Sequence, residues 1–258
     1  MTPILQRRLP QMPWMQPATA RLPGIQPVAP GDWLRLDEAF SGQMAERDRL
    51  IREIPHAIHA LHPEAEPAAQ ELLDLVLTAL PALGHVIKGD RVQRPDGVTV
   101  LLDRSAPLLT LGRLVQEDFC IHLASGPEHA LMGAILCFPA SWTLAEKIGR
   151  PLTGIHTPVE VYDDALAARV QRLFDAVRPE QPLWRANALL YEDPALYQPR
   201  REGERRPRPQ SRNHLRSERQ CLVRLPKTRA VVFSIHTTVV HVDDVDPAAL
   251  EAFRALHP

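Results

Sequence analysis

The segment Leu136 to Pro158, LCFPASWTLAEKIGRPLTGIHTP, sets a histidine, His156, beside a proline-rich turn. An imidazole held in this way does one of two things. The ordinary outcome for a lone histidine is a ring hydrogen-bonded in a turn; the sharper one is a functional side chain, which only further context can raise. Arg150 and Thr157 each precede a proline, which favours extended backbone and removes a donor, so His156 is expected off any regular helix. Upstream, Thr143 and Glu146 stand in the T-x-x-E relation of a capping box, which predicts a short helix stopped by Gly149.

Two later segments carry polar groups at strand spacing. In Trp184-Arg185-Ala186-Asn187-Ala188, alternation puts Arg185 and Asn187 on one face. Between Val231 and Val240, Ser234, His236 and Thr238 share a face opposite Val231, Phe233 and Ile235, and Glu218-Arg219-Gln220 opens the strand between. These faces are either simply wet, the commoner outcome for an antiparallel sheet, or the lining of a polar cavity. No G-x-S-x-G, H-E-x-x-H, G-x-G-x-x-G or phosphate loop is present. Cys120, Cys137 and Cys221 lack zinc, haem-attachment or cluster spacing, and Cys137, in an apolar run, reads as core.

The elements that must position these groups follow from periodicity. Residues 1–40 form an extended proline-rich arm anchored by Trp14 and Trp33, and residues 41–258 form a single domain. Helices are expected from Gly42 to Ile54, Pro67 to Leu80, Asp164 to Val177 and Pro247 to Leu256. Strands are expected at Val98 to Leu102, Phe119 to Leu123, Leu131 to Phe138, Leu183 to Tyr191, Arg219 to Leu225 and Ala230 to Val240. Strands in runs with helices between them predict an α+β domain on an antiparallel sheet. The arginine-rich stretch 200–216 lacks a hydrophobic pattern and reads as a mobile, solvated basic loop, with partner docking as its sharper alternative.

A chain of 258 residues with 45% hydrophobic residues can bury a substantial core, and a net charge of −1 argues against nucleic acid as a partner. No apolar run is long enough to cross a membrane, and the prolines of the first segment interrupt any signal-peptide core, so a cytoplasmic location is expected.

The strings CFPASWTLAEKIGRPLTGIHTPV, LWRANALLYEDPALYQP and RSERQCLVRLPKTRAVVFSI, in this order, resemble the haem-dependent oxidative N-demethylase family over roughly residues 33–240. The resemblance implies a PAS-like antiparallel sheet with flanking helices around a non-covalent haem b. It also implies O2-dependent oxidation of a small secondary amine to the primary amine and formaldehyde. Electrons would come from NADPH through a separate reductase subunit carrying FMN and a 2Fe-2S cluster, with a folate-linked subunit as a further partner. Carried onto this sequence, it makes His156 the candidate axial ligand to iron, and Arg150 and Arg219 candidate partners of the haem propionates, since guanidinium pairs with carboxylate in two-pronged geometry. Trp184 would pack on the macrocycle, and Arg185, Asn187 and His236 would face substrate or a propionate. Where the family's last strand is expected to read F-x-I-R-T-Y, this chain has Phe233-Ser234-Ile235-His236-Thr237-Thr238, which implies a substrate pocket unlike that of a dimethylamine demethylase. The competing reading from another class is a non-catalytic PAS-like module that binds or senses haem or a small ligand.

Overall fold

A computed structural model describes residues 3–20, 24–156, 164–205 and 210–256, without the side chains of His156 and Asp164. In chain order the elements are β1 (Gln26–Pro27), α1 (Phe40–Glu53), α2 (Pro55–Ile58), β2 (His59–Leu61), α3 (Glu66–Ala79), β3 (Val86–Lys88), β4 (Arg91–Gln93), β5 (Thr99–Leu101), α4 (Pro107–Gly112), β6 (Asp118–Ser125), β7 (Glu128–Ile135), α5 (Leu144–Lys147), α6 (Leu152–His156), α7 (Asp164–Ala176), β8 (Leu183–Tyr191), β9 (His214–Arg224), β10 (Val231–His241) and α8 (Pro247–Leu256). The fold is α+β, as expected. A seven-stranded sheet runs β1-β8-β9-β10-β6-β7-β2, every pair antiparallel, and a three-stranded sheet is made of β3, β4 and β5. Among the described residues no helix is long and apolar enough to cross a membrane.

Three expectations change. His156 ends the helix α6 instead of lying off helix, because Pro151 occupies the position just before α6, where a missing N–H costs nothing. Strand β9 begins at His214, not Arg219. Its polar residues Arg216, Glu218 and Gln220 alternate with Leu215, Ser217 and Cys221, a strand pattern masked by the arginines around it. Thr143 and Glu146 do flank α5, but Thr143 Oγ1 donates to Glu146 Oε2 at 2.5 Å and neither side chain caps the backbone.

Register decides what each face of the sheet does. Arg185 pairs with Gln220 and Gln220 with Ile235, so these three share one face, called the front; Ala186, Arg219 and His236 likewise share the back. On the back, Phe119, Ile121, Val223 and Val232 pack with Leu50 of α1, Leu72, Leu73 and Val76 of α3, and Leu108 and Leu111 of α4 in the main core. Farther along the same face Leu215 and Val240 pack with Phe253 of α8, and the N-terminal arm adds Trp14, whose ring meets Phe253 at 4.8 Å.

Between these apolar zones lies a buried ionic belt that fastens the arm to the sheet. Gln6 forms a bridge with Val240 and its side chain bonds Asp37 and the Thr237 carbonyl. His236 lies between two carboxylates, with Nδ1 2.9 Å from Glu117 Oε1 and Nε2 3.0 Å from Asp37 Oδ2. Both ring nitrogens must donate, so the ring is an imidazolium. Arg47, fully buried, donates to Asp118 at 2.8 Å and to the carbonyls of Gly112, Gln116 and Glu117. These charges are buried in pairs, the arrangement that makes removal of a single partner expensive.

Burial opposes the charge on His236, but its hydrogen bonds to Asp37 and Glu117 outweigh that and raise its pKa from 6.5 to about 9. A raised histidine contributes stability that is fully present below its unfolded pKa and disappears as pH climbs through the folded one. The thermal midpoint should therefore fall between about pH 6.5 and 9, a loss on the order of 3 kcal/mol. His236→Gln should abolish that slope and cost about 3–5 kcal/mol at pH 6, because Glu117 is then left buried without its cation. Melting curves of both proteins across this range provide the check, and parallel curves would refute the pairing.

Candidate functional site

The front face is not filled by a core. The covering elements are α5, α6 and α7, with the segment around residues 198–205 at the edge, and between them and the sheet lies a cavity of about 750 Å³. That is the size range of small-molecule and cofactor pockets, roughly 300–1,000 Å³. One wall is apolar: Leu222, Phe233 and Ile235 from the sheet meet Leu152 and Ile155 of α6 and Val170 and Phe174 of α7. The amphipathic face of α7 therefore serves two purposes, since Phe174 also closes on Leu152 and Leu222 in a small cluster.

The opposite wall is polar and comes from β8 and β9. Asn187 and Glu218 face each other across the ladder. Asn187 Nδ2 donates to Glu218 Oε2 at 3.4 Å, Gln220 Nε2 donates to the same oxygen at 3.2 Å, and the Glu218 amide donates to Asn187 Oδ1. The Glu218 side chain is 10% exposed and its Oε1 also pairs with Arg216 at 3.4 Å, so a carboxylate is held against an apolar chamber by amide groups and one guanidinium. Beside it, Arg185 has its Nε buried without a hydrogen-bond partner and forms no salt bridge among the described residues. Burial lowers the Arg185 pKa, with Glu218 acting in the opposite sense.

That arginine stands apart from the others on the sheet. Arg216 donates to the carbonyls of Leu196 and Phe138, Arg224 to those of Val177 and Arg229, and Arg219 to Asp32 at 3.0 Å and to Cys221 Sγ. A guanidinium aimed at a cavity without an anion is incomplete, because a buried charge needs a partner.

The residues singled out in the sequence divide between the faces. Arg185, Asn187 and Trp184 line the cavity, but the Trp184 ring lies under the Arg219 guanidinium, 5.2 Å from its centroid, on the back. Arg219 and His236 are not brought to the cavity; both sit in the ionic belt of the back face. His236, expected to face substrate or a propionate, is instead a buried cation with a raised pKa. Arg150 is not among the residues that line the cavity; it is 44% exposed and pairs with Glu202 at 3.2 Å. His156 closes α6, the helix whose Leu152 and Ile155 line the chamber, while its side chain and the residues Thr157 and Pro158 lie outside the described set.

Four lining residues carry no assigned role in the sequence. Glu218 and Gln220 stand there only as the polar opening of a strand, because the register that brings them to the cavity is a tertiary property. Lys147 and His122 had no signal beyond their residue type; His122 lies edge-on to Phe174 at 5.2 Å on the wall. Cys120 also reaches the wall, but burial pushes its thiol pKa up, away from thiolate ligation. Cys137 is buried in the core, as expected. Among the described residues no group of three or more His, Cys, Asp or Glu is placed to hold a metal ion.

A large apolar chamber with an unpaired arginine fits a flat hydrophobic cofactor that carries carboxylates. A family model described as haem-dependent oxidative N-demethylase, alpha subunit-like, matches residues 24–256. No curated protein matches the chain.

The contrast between paired and unpaired arginines has a direct consequence for stability. Arg185→Met should leave the thermal midpoint of the ligand-free chain unchanged or higher, since it removes a buried charge that has no partner. Arg219→Met should lower stability by about 2–3 kcal/mol, because it breaks the Asp32 pair within the belt. Equal losses in the two variants, measured by denaturant titration, would show that Arg185 is a structural residue.

Proposed function

The chain belongs to the haem-dependent oxidative N-demethylase, alpha subunit-like family, and from that premise we propose that the front-face cavity holds one non-covalent haem b beside which a small secondary amine is demethylated. The family description, alpha subunit-like, makes the chain one component of a multi-subunit enzyme. The observation that carries the assignment of the site is Arg185, a guanidinium on the cavity wall that makes no hydrogen bond or salt bridge among the described residues, whereas Arg216 and Arg219, whose Nε atoms are also unpartnered, are bonded through their terminal nitrogens.

Arg185 would pair with a propionate of a bound haem, which would complete its charge. The apolar wall of Phe233, Ile235, Leu152 and Ile155 would pack against the ring system and exclude water. His156, at the end of α6, would be the ligand to its iron. Haem supplies O2 activation and one-electron chemistry when bound. The protein's task is then to bind and orient the amine. Glu218, fixed by Asn187 and Gln220 and in a long 3.4 Å contact with Arg216, offers its carboxylate to a protonated amine, whose charge would otherwise be stranded in an apolar chamber. Oxidation of the methyl carbon, with O2 as oxidant and electrons delivered by a reductase subunit, releases formaldehyde and the primary amine. FMN, 2Fe-2S and NADPH belong to that reductase and a folate-linked subunit to formaldehyde capture, while this chain contributes the haem site and works in the cytoplasm.

The purified chain should bind one haem with a Soret band, and Arg185→Leu should weaken haem retention about tenfold or more, as expected for a lost charge-assisted pair. His156→Ala should shift or abolish the band in a folded protein. If His122→Ala does so instead, the axial ligand is the wall histidine. Haem that binds without amine turnover, with a competent reductase present, would favour the sensing module over the enzyme.

A further inference from the structure

The segment at the cavity mouth is fastened at two levels. At its base, Gln198 forms a bridge with Ala140 and exchanges backbone hydrogen bonds with Pro139 and Ser141. Farther out, Arg200 to Glu204 line the cavity, and Gly203 turns the chain at φ +78°. Glu202 is the fastening point. Its carboxylate accepts from Lys147 Nζ at 2.5 Å and from Arg150 at 3.2 Å, and its amide donates to Glu146 at 3.1 Å. The hydrogen bond from Lys147 holds the Glu202 pKa below the ordinary carboxylate range.

Lys147 has a second partner. Its Nζ, on a side chain only 5% exposed, also donates to the Ile155 carbonyl at 2.6 Å. That carbonyl lies in the last turn of α6, where a helix leaves acceptors unfilled and where a cation is favourable. A single buried ammonium thus bridges the mouth segment and the C-terminal end of α6, one residue before His156. Ile155 itself lines the chamber.

We infer that Lys147 is a positioning residue that ties the mouth segment to α6, so that release of Glu202 loosens both together and gates exchange of the cavity's ligand. The coupling does not depend on what the cavity holds; only its bearing on haem rests on the reading above. If Glu202 leaves, the ammonium is left without its counter-ion in a poorly solvated site, a cost relieved when the Lys147 side chain swings toward water and gives up the Ile155 carbonyl.

Hydrogen–deuterium exchange on the full purified chain, with any bound ligand left in place, tests this without reference to activity. In Glu202→Gln and in Lys147→Met, amides of 198–205 and of 150–156 should both exchange roughly three- to tenfold faster, while β9 stays at the wild-type rate. The double variant should exchange at 150–156 no faster than Lys147→Met alone, the mark of one shared interaction. Faster exchange of 198–205 alone in Glu202→Gln overturns the coupling, as does an additive double variant or general acceleration that includes β9. Glu202 is the more exposed partner, so its variant keeps the test decisive if Lys147→Met does not fold.

Discussion

The ladder register of β8, β9 and β10 is the constraint on which everything else in this protein depends. A strand has a side-chain period of two, so a shift of one residue in β9 would move Arg216, Glu218 and Gln220 to the back and carry Arg219 and Cys221 into the chamber. The observed register sends one set of charges to a cavity and the other to a packed face. Burial on the back fixes it, because Val223, Val232 and Ile121 must meet the helices α1, α3 and α4. The core thus selects the composition of the site without touching it.

Pairing then separates structural from functional charge. On the back, Arg47, Arg219 and His236 have carboxylates within about 3 Å, and Asp37 links arm, helix start and sheet through Gln6, the Ala39 amide and His236. Such pairs cost desolvation and return it only while complete, which makes them determinants of how the arm docks more than sources of net stability. On the front, Arg185 lacks a carboxylate partner and Glu218 is held by neutral amides and a long contact to Arg216. Arg185 thus makes neither a hydrogen bond nor a salt bridge among the described residues, unlike Arg47, Arg216 and Arg219, and an anionic ligand is what would complete it.

How much of this could be read from sequence follows from the same physics. Alternation along Leu183–Tyr191 and Val231–His241 placed Arg185 with Asn187 and Ser234 with His236, and both assignments hold within each strand. Which face of one strand matches which face of the next depends on register, a tertiary property, so Arg185 and His236 were put on one site although they lie on opposite sides of the sheet. The start of β9 was missed because its front residues are charged for a cavity and dilute the hydrophobic pattern. The helices α1, α3, α7 and α8 were legible from apolar stripes and prolines, whereas β2, β3 and β4 are too short to show a period. Lys147 was visible as one of three lysines, yet nothing local marked it as buried between two segments.

Anomalous diffraction at the iron edge from crystals of the haem-loaded chain tests the central claim most directly. The account predicts a single iron position inside the front chamber, between Phe233 and Ile235 on the sheet and Leu152 and Ile155 on α6, with a propionate against Arg185. An iron on the back face, or one outside the chamber with Arg185 still unpaired, would contradict it.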